Sequence, residues 1–172
     1  MRKTLISILL FAFFLVPGYS SEKIVYLDVE KIMQDSIAGK SIIAQLKKKR
    51  DSSISKFKKK EKEIVDKEKK LISQKNVLSK EEFEKKLKNL RNDVSNYQKD
   101  RNKMSNEIRQ SRIKASTRLI KKLTPILEEY SKKNSIRIIV QKKNIVMGKK
   151  EDDITKDILE IINQKVKSIK ID

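Results

Sequence analysis

The sequence predicts a mainly α protein with a small β body, in which a long antiparallel helical hairpin, a coiled-coil arm, projects from a short-stranded oligomerisation domain. Three observations carry this. Only Gly 3 and Pro 2 punctuate 172 residues rich in Lys, Glu, Leu and Ile, the composition of long helices. Apolar residues recur at helical and heptad spacing through residues 40–133, and short β-branched runs lie near both ends of the chain. With 38% charged and 37% hydrophobic residues the chain is lean for one compact core, so an extended shape is expected, while the periodicity argues against disorder.

Taken in order, the chain opens on Met1-Arg2-Lys3, an apolar run over 5–16, and Gly18-Tyr19-Ser20, the pattern of a secretory signal peptide cleaved after Ser20. The run is about 12 residues and a bilayer needs roughly 20, so a retained membrane anchor is the weaker alternative. Such a leader implies export of the mature chain from the cytoplasm.

Ile24-Val25-Tyr26-Leu27-Asp28-Val29 reads as a mostly buried strand, followed by a helical turn over 31–34 and a long helix starting between Ser36 and Ser41. In that helix Ile43, Phe57, Ile64, Leu71 and Leu78 share one seven-residue frame, with Arg50 in the remaining slot, while Ile42, Leu46 and Ile54 flank it. The stripe is narrower than the face of a helix packed on a globular core. Asn76-Val77-Leu78 supplies the corner, and Ser79-Lys80-Glu81-Glu82 is a capping box for the returning helix. There the seam runs through Leu87, Leu90, Val94, Tyr97, Arg101, Met104, Ile108, Ser111 and Ala115. Pairs such as Glu63 with Lys67 and Glu81 with Lys85 have the i to i+4 order that supports a wet helix.

The return helix outlasts the outgoing one. Its excess, 119–133, is where the stripe widens to Leu119, Ile120, Leu123, Ile126, Leu127 and Tyr130, so this segment is expected to pack on the body. Pro125 is expected to kink or restart the helix. Residues 136–141 and 145–147 read as second and third strands, and Asp153 as the cap of a last amphipathic helix carrying Ile154, Ile158, Leu159, Ile162 and Val166. The domain reading is therefore residues 1–20 as signal peptide, 21–39 with 119–172 as body, and 40–118 as basic arm. Three short strands with exposed edges are marginal alone, which makes self-association through the strands the simplest remedy.

Charge is placed unevenly. Residues 40–133 hold 30 Lys and Arg against 13 Asp and Glu, a surplus of +17, whereas 21–39 and 134–172 together hold 11 against 10. A one-signed arm suits a polyanion, an anionic membrane surface or an acidic protein. Nucleic acid is the default partner for such charge, and export argues against it. Cys 0 and His 0 remove thiol chemistry, most metal sites and the usual general base, so an enzyme is not expected, nor any cofactor.

Sharper motifs weaken on inspection. Gly39-Lys40-Ser41 matches the end of a phosphate-binding loop, but the motif needs a Gly five residues earlier, where Gln34 stands. Asp152, Asp153 and Asp157 read better as charge at a helix start than as a metal site. Phe57, Phe83, Tyr97 and Tyr130 read as packing rather than stacking platforms for single strands.

The ordered set of Lys23-Ile24-Val25-Tyr26-Leu27-Asp28-Val29, Ser36 to Lys40 as S-x-x-G-K, the basic hairpin, 136–140, and Asp153-Ile154-Thr155 leading to Ile161-Ile162-Asn163 resembles the Skp/OmpH family of periplasmic chaperones for outer-membrane proteins. The resemblance implies a homotrimer whose strands form a small barrel-like body, with three hairpins enclosing a cavity for unfolded β-barrel clients and no nucleotide requirement. It also implies that the basic arms suit acidic clients and anionic lipid or lipopolysaccharide. Candidate contacts to clients or an anionic surface are Lys47, Lys48, Lys49, Arg50, Lys58, Lys59, Lys60, Lys85 and Lys86. Candidate oligomerisation residues are Ile24, Tyr26, Leu27, Ile138, Val140 and Ile145. Competing readings are a membrane-tethered or secreted structural or adaptor coiled coil and a nucleic-acid-binding coiled coil.

Overall fold

The computed structural model describes residues 23–171, so the leader pattern and its cleavage point lie outside the described residues. Strand β1 (Lys23–Leu27) leads into helix α1 (Val29–Asp35), α2 (Ile37–Ser73) and α3 (Lys80–Lys133), then strand β2 (Ile136–Gln141) and helix α4 (Thr155–Lys165), with 3-10 turns at Lys142–Asn144 and Lys150–Asp152. The two strands pair in parallel. Parallel neighbours need a crossover connection, and here that connection is the whole of α1, α2 and α3. The chain therefore leaves the sheet after Leu27 and re-enters it at Ile136, at opposite ends of the strand pair.

Local chemistry sets each boundary. Asp28 accepts from Lys31 N at 2.8 Å and caps α1, while Ser36 accepts from Gly39 N at 3.0 Å and caps α2. The fold needs Gly39 for another reason: a Cβ there would meet the carbonyl oxygen of Met33, at the end of α1, at 2.0 Å. This gives the S-x-x-G segment a packing role. At the tip, Ser79 and Glu82 form the full capping box, with Glu82 N donating to Ser79 Oγ at 3.2 Å and Ser79 N to Glu82 Oε2 at 3.2 Å. Helix α2 spans about 55 Å and α3 about 80 Å at 1.5 Å per residue.

One core joins the ends of the arm to the body. Leu27, Ile32, Leu119, Ile158 and Ile162 are its largest fully buried side chains, with Val25, Ala38, Ile42, Ala115, Leu123, Ile126, Ile154 and Ile169 around them. Leu119, Leu123 and Ile126 thus pack on the body. Helix α3 runs on through Pro125 without restarting. Pro125 is exposed, which leaves the carbonyl it fails to engage open to water.

Three further expectations are corrected. The helical turn after β1 is a complete helix. Helix α4 begins at Thr155 with Ile154 as its N-cap, and Asp153 acts one residue earlier, accepting from Thr155 N at 3.0 Å. Residues 145–147 form no strand: the sheet has two strands, Val146 and Met147 are fully exposed, and Ile145 is half-buried. The run has the residue types of a strand but no neighbour to pair with among the described residues. Nearby, Gly148 lets the chain pass the Tyr26 ring, to which an added Cβ would come within 2.8 Å.

The D-I-T segment also has structural work. Thr155 Oγ1 accepts from Asp28 N at 2.9 Å, and Asn163 accepts from Ile37 N at 2.8 Å, so α4 ties the end of β1 to the start of the arm.

Candidate functional site

The arm carries the candidate cationic contacts, and its two helices are joined by alternating layers. Phe57 meets Tyr97 edge to face, with ring centroids 5.8 Å apart, and Arg101 lies over the Tyr97 ring at 5.7 Å. Tyr97 is buried, so it packs the seam. Leu71 is buried near the tip. Between these layers, polar pairs cross from helix to helix: Lys49 with Ser111 at 3.0 Å, Lys60 with Asp100 at 2.7 Å, Lys67 with Asp93 at 2.6 Å and Lys86 with Gln74 at 3.1 Å. The last three advance by seven residues on each helix in opposite directions, the register of an antiparallel coiled coil. Lys60 holds the Asp100 carboxyl below its ordinary range, first through the hydrogen bond and then through its charge.

Of the predicted cationic contacts, Lys47, Lys48, Lys58, Lys59 and Lys85 stand exposed. Lys49, Lys60 and Lys86 instead reach across the hairpin, and Arg50 lies 3.6 Å from its neighbour Asp51. The structure does not gather them into one patch. Roughly 38 Å of helix separates Lys49 from Gln74, the residue that Lys86 reaches. Cations are thus strung along the arm.

Apolar side chains stand among them. Ile43, Ile54, Ile72, Val77, Val94 and Ile113 are all exposed, Ile72 at 65% and Val77 at 84%. A groove of about 530 Å³ near the base has Ile43, Leu46 and Ile108 as its floor and Lys47, Arg50, Arg109 and Arg112 around it. A second, of about 300 Å³, has Ile64, Leu87, Leu90 and Val94 beside Glu68 and Arg91. Sequence reasoning missed Arg109 and Arg112, whose signal was available once the turn at 76–79 set the antiparallel register. Such surfaces offer shallow apolar contact with adjacent positive charge.

In the body, the two faces of the sheet differ. Val25 and Ile139 pair on the core side, and Ile24 pairs with Ile138 on the other, where they are 59% and 45% exposed. A bulge at Arg137 allows Ile136 and Ile139 both to pack inward. Tyr26 and Val140 share the outer face and are half-buried, whereas Leu27 is 1% exposed inside its own protomer. Of the carboxylates near α4, Asp153 is paired with Lys142 at 2.9 Å and Asp157 accepts from Tyr130 at 2.6 Å. Burial of Asp153 works against ionisation, but bonds from Thr155 and Lys142 outweigh it and bring its pKa down.

The family model described as outer membrane protein (OmpH-like) matches residues 23–162. No curated protein matches the chain. Among solved structures, one from Caulobacter crescentus CB15, described as a candidate OmpH-like outer membrane chaperone, superimposes with a TM-score of 0.82 at 15% identity, covering 90% of this chain and 92% of that one. At that identity the likeness shows the fold, a helical arm on a small stranded body. The family match runs unbroken from β1 through the arm and into α4, and the chain accordingly belongs to the OmpH-like outer membrane protein family.

Proposed function

We propose that the protein is an ATP-independent periplasmic holdase chaperone that binds unfolded outer-membrane proteins between helical arms and prevents their aggregation. The observation that carries this reading is the arm surface, where exposed isoleucines and valines stand beside lysines and arginines over the length of the hairpin. An unfolded chain needs many weak contacts that exchange quickly. Small apolar patches give each contact little energy, and long-range attraction to the basic arm keeps an acidic chain nearby. Family membership and the Caulobacter relative's description support the same reading.

Self-association would complete the cavity, as a homotrimer. The outer face of the sheet, with Ile24, Tyr26, Ile138 and Val140, is the surface best suited to it, and the exposed Val146 and Met147 lie close by in sequence. Leu27 is spent on the protomer's own core. Anionic lipid or lipopolysaccharide is a further partner for the exposed lysines.

The test is dilution of a urea-unfolded outer-membrane β-barrel into buffer with the mature protein and no nucleotide. Suppressed light scattering and a stable soluble complex are expected. Scattering equal to that of the barrel alone would overturn the reading.

A further inference from the structure

We infer that residues 166–171 form a strap that fixes the direction in which the arm leaves the body, with Gln45 and Arg118 as its positioning residues. After α4 the chain turns extended at Val166 and runs back along the base of the hairpin. Ile169 is 8% exposed and belongs to the core, with Val166 and Ile171 packed against it. The backbone between them is held from both helices. Gln45 of α2 donates from Nε2 to Ile169 O at 2.8 Å and accepts at Oε1 from Ile171 N at 3.3 Å. These are the groups that flank Lys170, so the Gln45 carboxamide stands where a parallel neighbouring strand would place a peptide group. Arg118 of α3 donates to Lys170 O at 2.8 Å. Three consecutive residues of the strap are thereby tied to two helices.

The location gives the strap its effect. Ile42 on α2 and Ala115 on α3 are the outermost buried members of the body's core, and farther along the arm Lys49 bonds to Ser111. Beyond this level the two helices pack on each other and no longer on the body, so the arm's direction is set here. The strap crosses at that level and joins both helices to α4. Gln45 is itself pinned, because Nε2 also reaches Ser41 O at 3.2 Å and Ser41 Oγ at 3.1 Å. The family match ends at residue 162, before the strap begins. The geometric inference stands on these bonds; its consequence, that the strap sets the width of the space available to a client, rests on the chaperone reading.

The chain has no cysteine, so nitroxide labels at Asn76→Cys in the tip and Lys156→Cys on the body are unique. Labelled protomers are diluted into excess unlabelled protein, and the label-to-label distance distribution is compared for the parent, Gln45→Ala, Arg118→Ala and a chain ending at Lys167. Release of the strap broadens the distribution about twofold. Amides over 42–50 and 111–118 then exchange about fivefold faster, with tip amides unchanged. Unchanged widths and exchange rates in Gln45→Ala and the shortened chain overturn the inference. Should the shortened chain unfold, Gln45→Ala decides, since alanine keeps the helix. Aggregation suppression is measured separately: a parent that suppresses nothing refutes the chaperone reading, while the distances still judge the strap.

Discussion

Lys67 Nζ lies 2.6 Å from Asp93 Oδ2 and bonds across the hairpin, although Glu63 stands one turn away on its own helix. The Asp93 hydrogen bond, and then its charge, raise the Lys67 pKa, with Glu63 contributing less. Both groups are largely exposed, so the pair adds little stability and acts chiefly on register. Lys67→Asp alone should therefore place like charges together and speed amide exchange over 64–71 and 90–97. Adding Asp93→Lys should restore protection, and high salt should erase the difference between the two.

Gly39→Ala should destabilise the fold by about 1–3 kcal/mol, the usual cost of overpacking. Alanine ordinarily favours a helix, so the sign is inverted here by the Met33 carbonyl, a backbone atom that cannot step aside without moving the end of α1. Urea denaturation of the two proteins checks it, and equal midpoints would refute the packing role.

The two faces of the sheet should separate under mutation. Ile24→Lys with Ile138→Glu should abolish self-association while leaving the protomer's helical signal intact, read by light scattering and circular dichroism. Leu27→Ala, by contrast, should cost about 2–5 kcal/mol of protomer stability through a core cavity.

Burial, and then the bond to Asp157, push the Tyr130 pKa up to about 12 from an ordinary 10.0. The folded state prefers the neutral phenol, so this contribution is whole below pH 10 and is lost as pH rises through about 12. Tyr130→Phe should flatten the fall in stability across that window, as measured by denaturation at stepped pH. Tyrosinate absorbance that shows every phenol ionised by pH 10 would contradict the assignment.

Reversing Lys47, Lys48, Lys58 and Lys59 to Glu should weaken client capture at low salt with the hairpin intact, because these four are exposed. Lys49 and Lys60 are left alone, since changing them also breaks bonds across the arm. Capture that is unaffected at low salt would leave the charge of the arm without a role in binding.

The corner of the hairpin was readable without Gly or Pro because the capping box is a local device: Ser79 and Glu82 need only each other. The seam through Tyr97, Ser111 and Ala115 was readable from spacing, since burial follows period. Lys60 and Lys67 were harder. On α2 Lys60 read as a candidate client contact and Lys67 as the i+4 partner of Glu63, and only the opposite helix shows that their stems reach Asp100 and Asp93. The supposed strand at 145–147 failed for the converse reason, as propensity reports how a residue fits a sheet and carries no information about whether a neighbour exists. Gln45 and Arg118 gave no signal at all, because their partners are backbone groups more than fifty residues away.

The parallel pairing of β1 with β2 has a consequence for how the chain folds. Lys23 and Ile136 are partners separated by about two thirds of the chain, and closing a loose loop of that length costs about 4 kcal/mol in entropy before any contact is gained. A hairpin that zips from the turn at Ser79 removes most of that search, because each added layer brings the two ends of the crossover closer. The arm should then form first, and the sheet should be the last element to close.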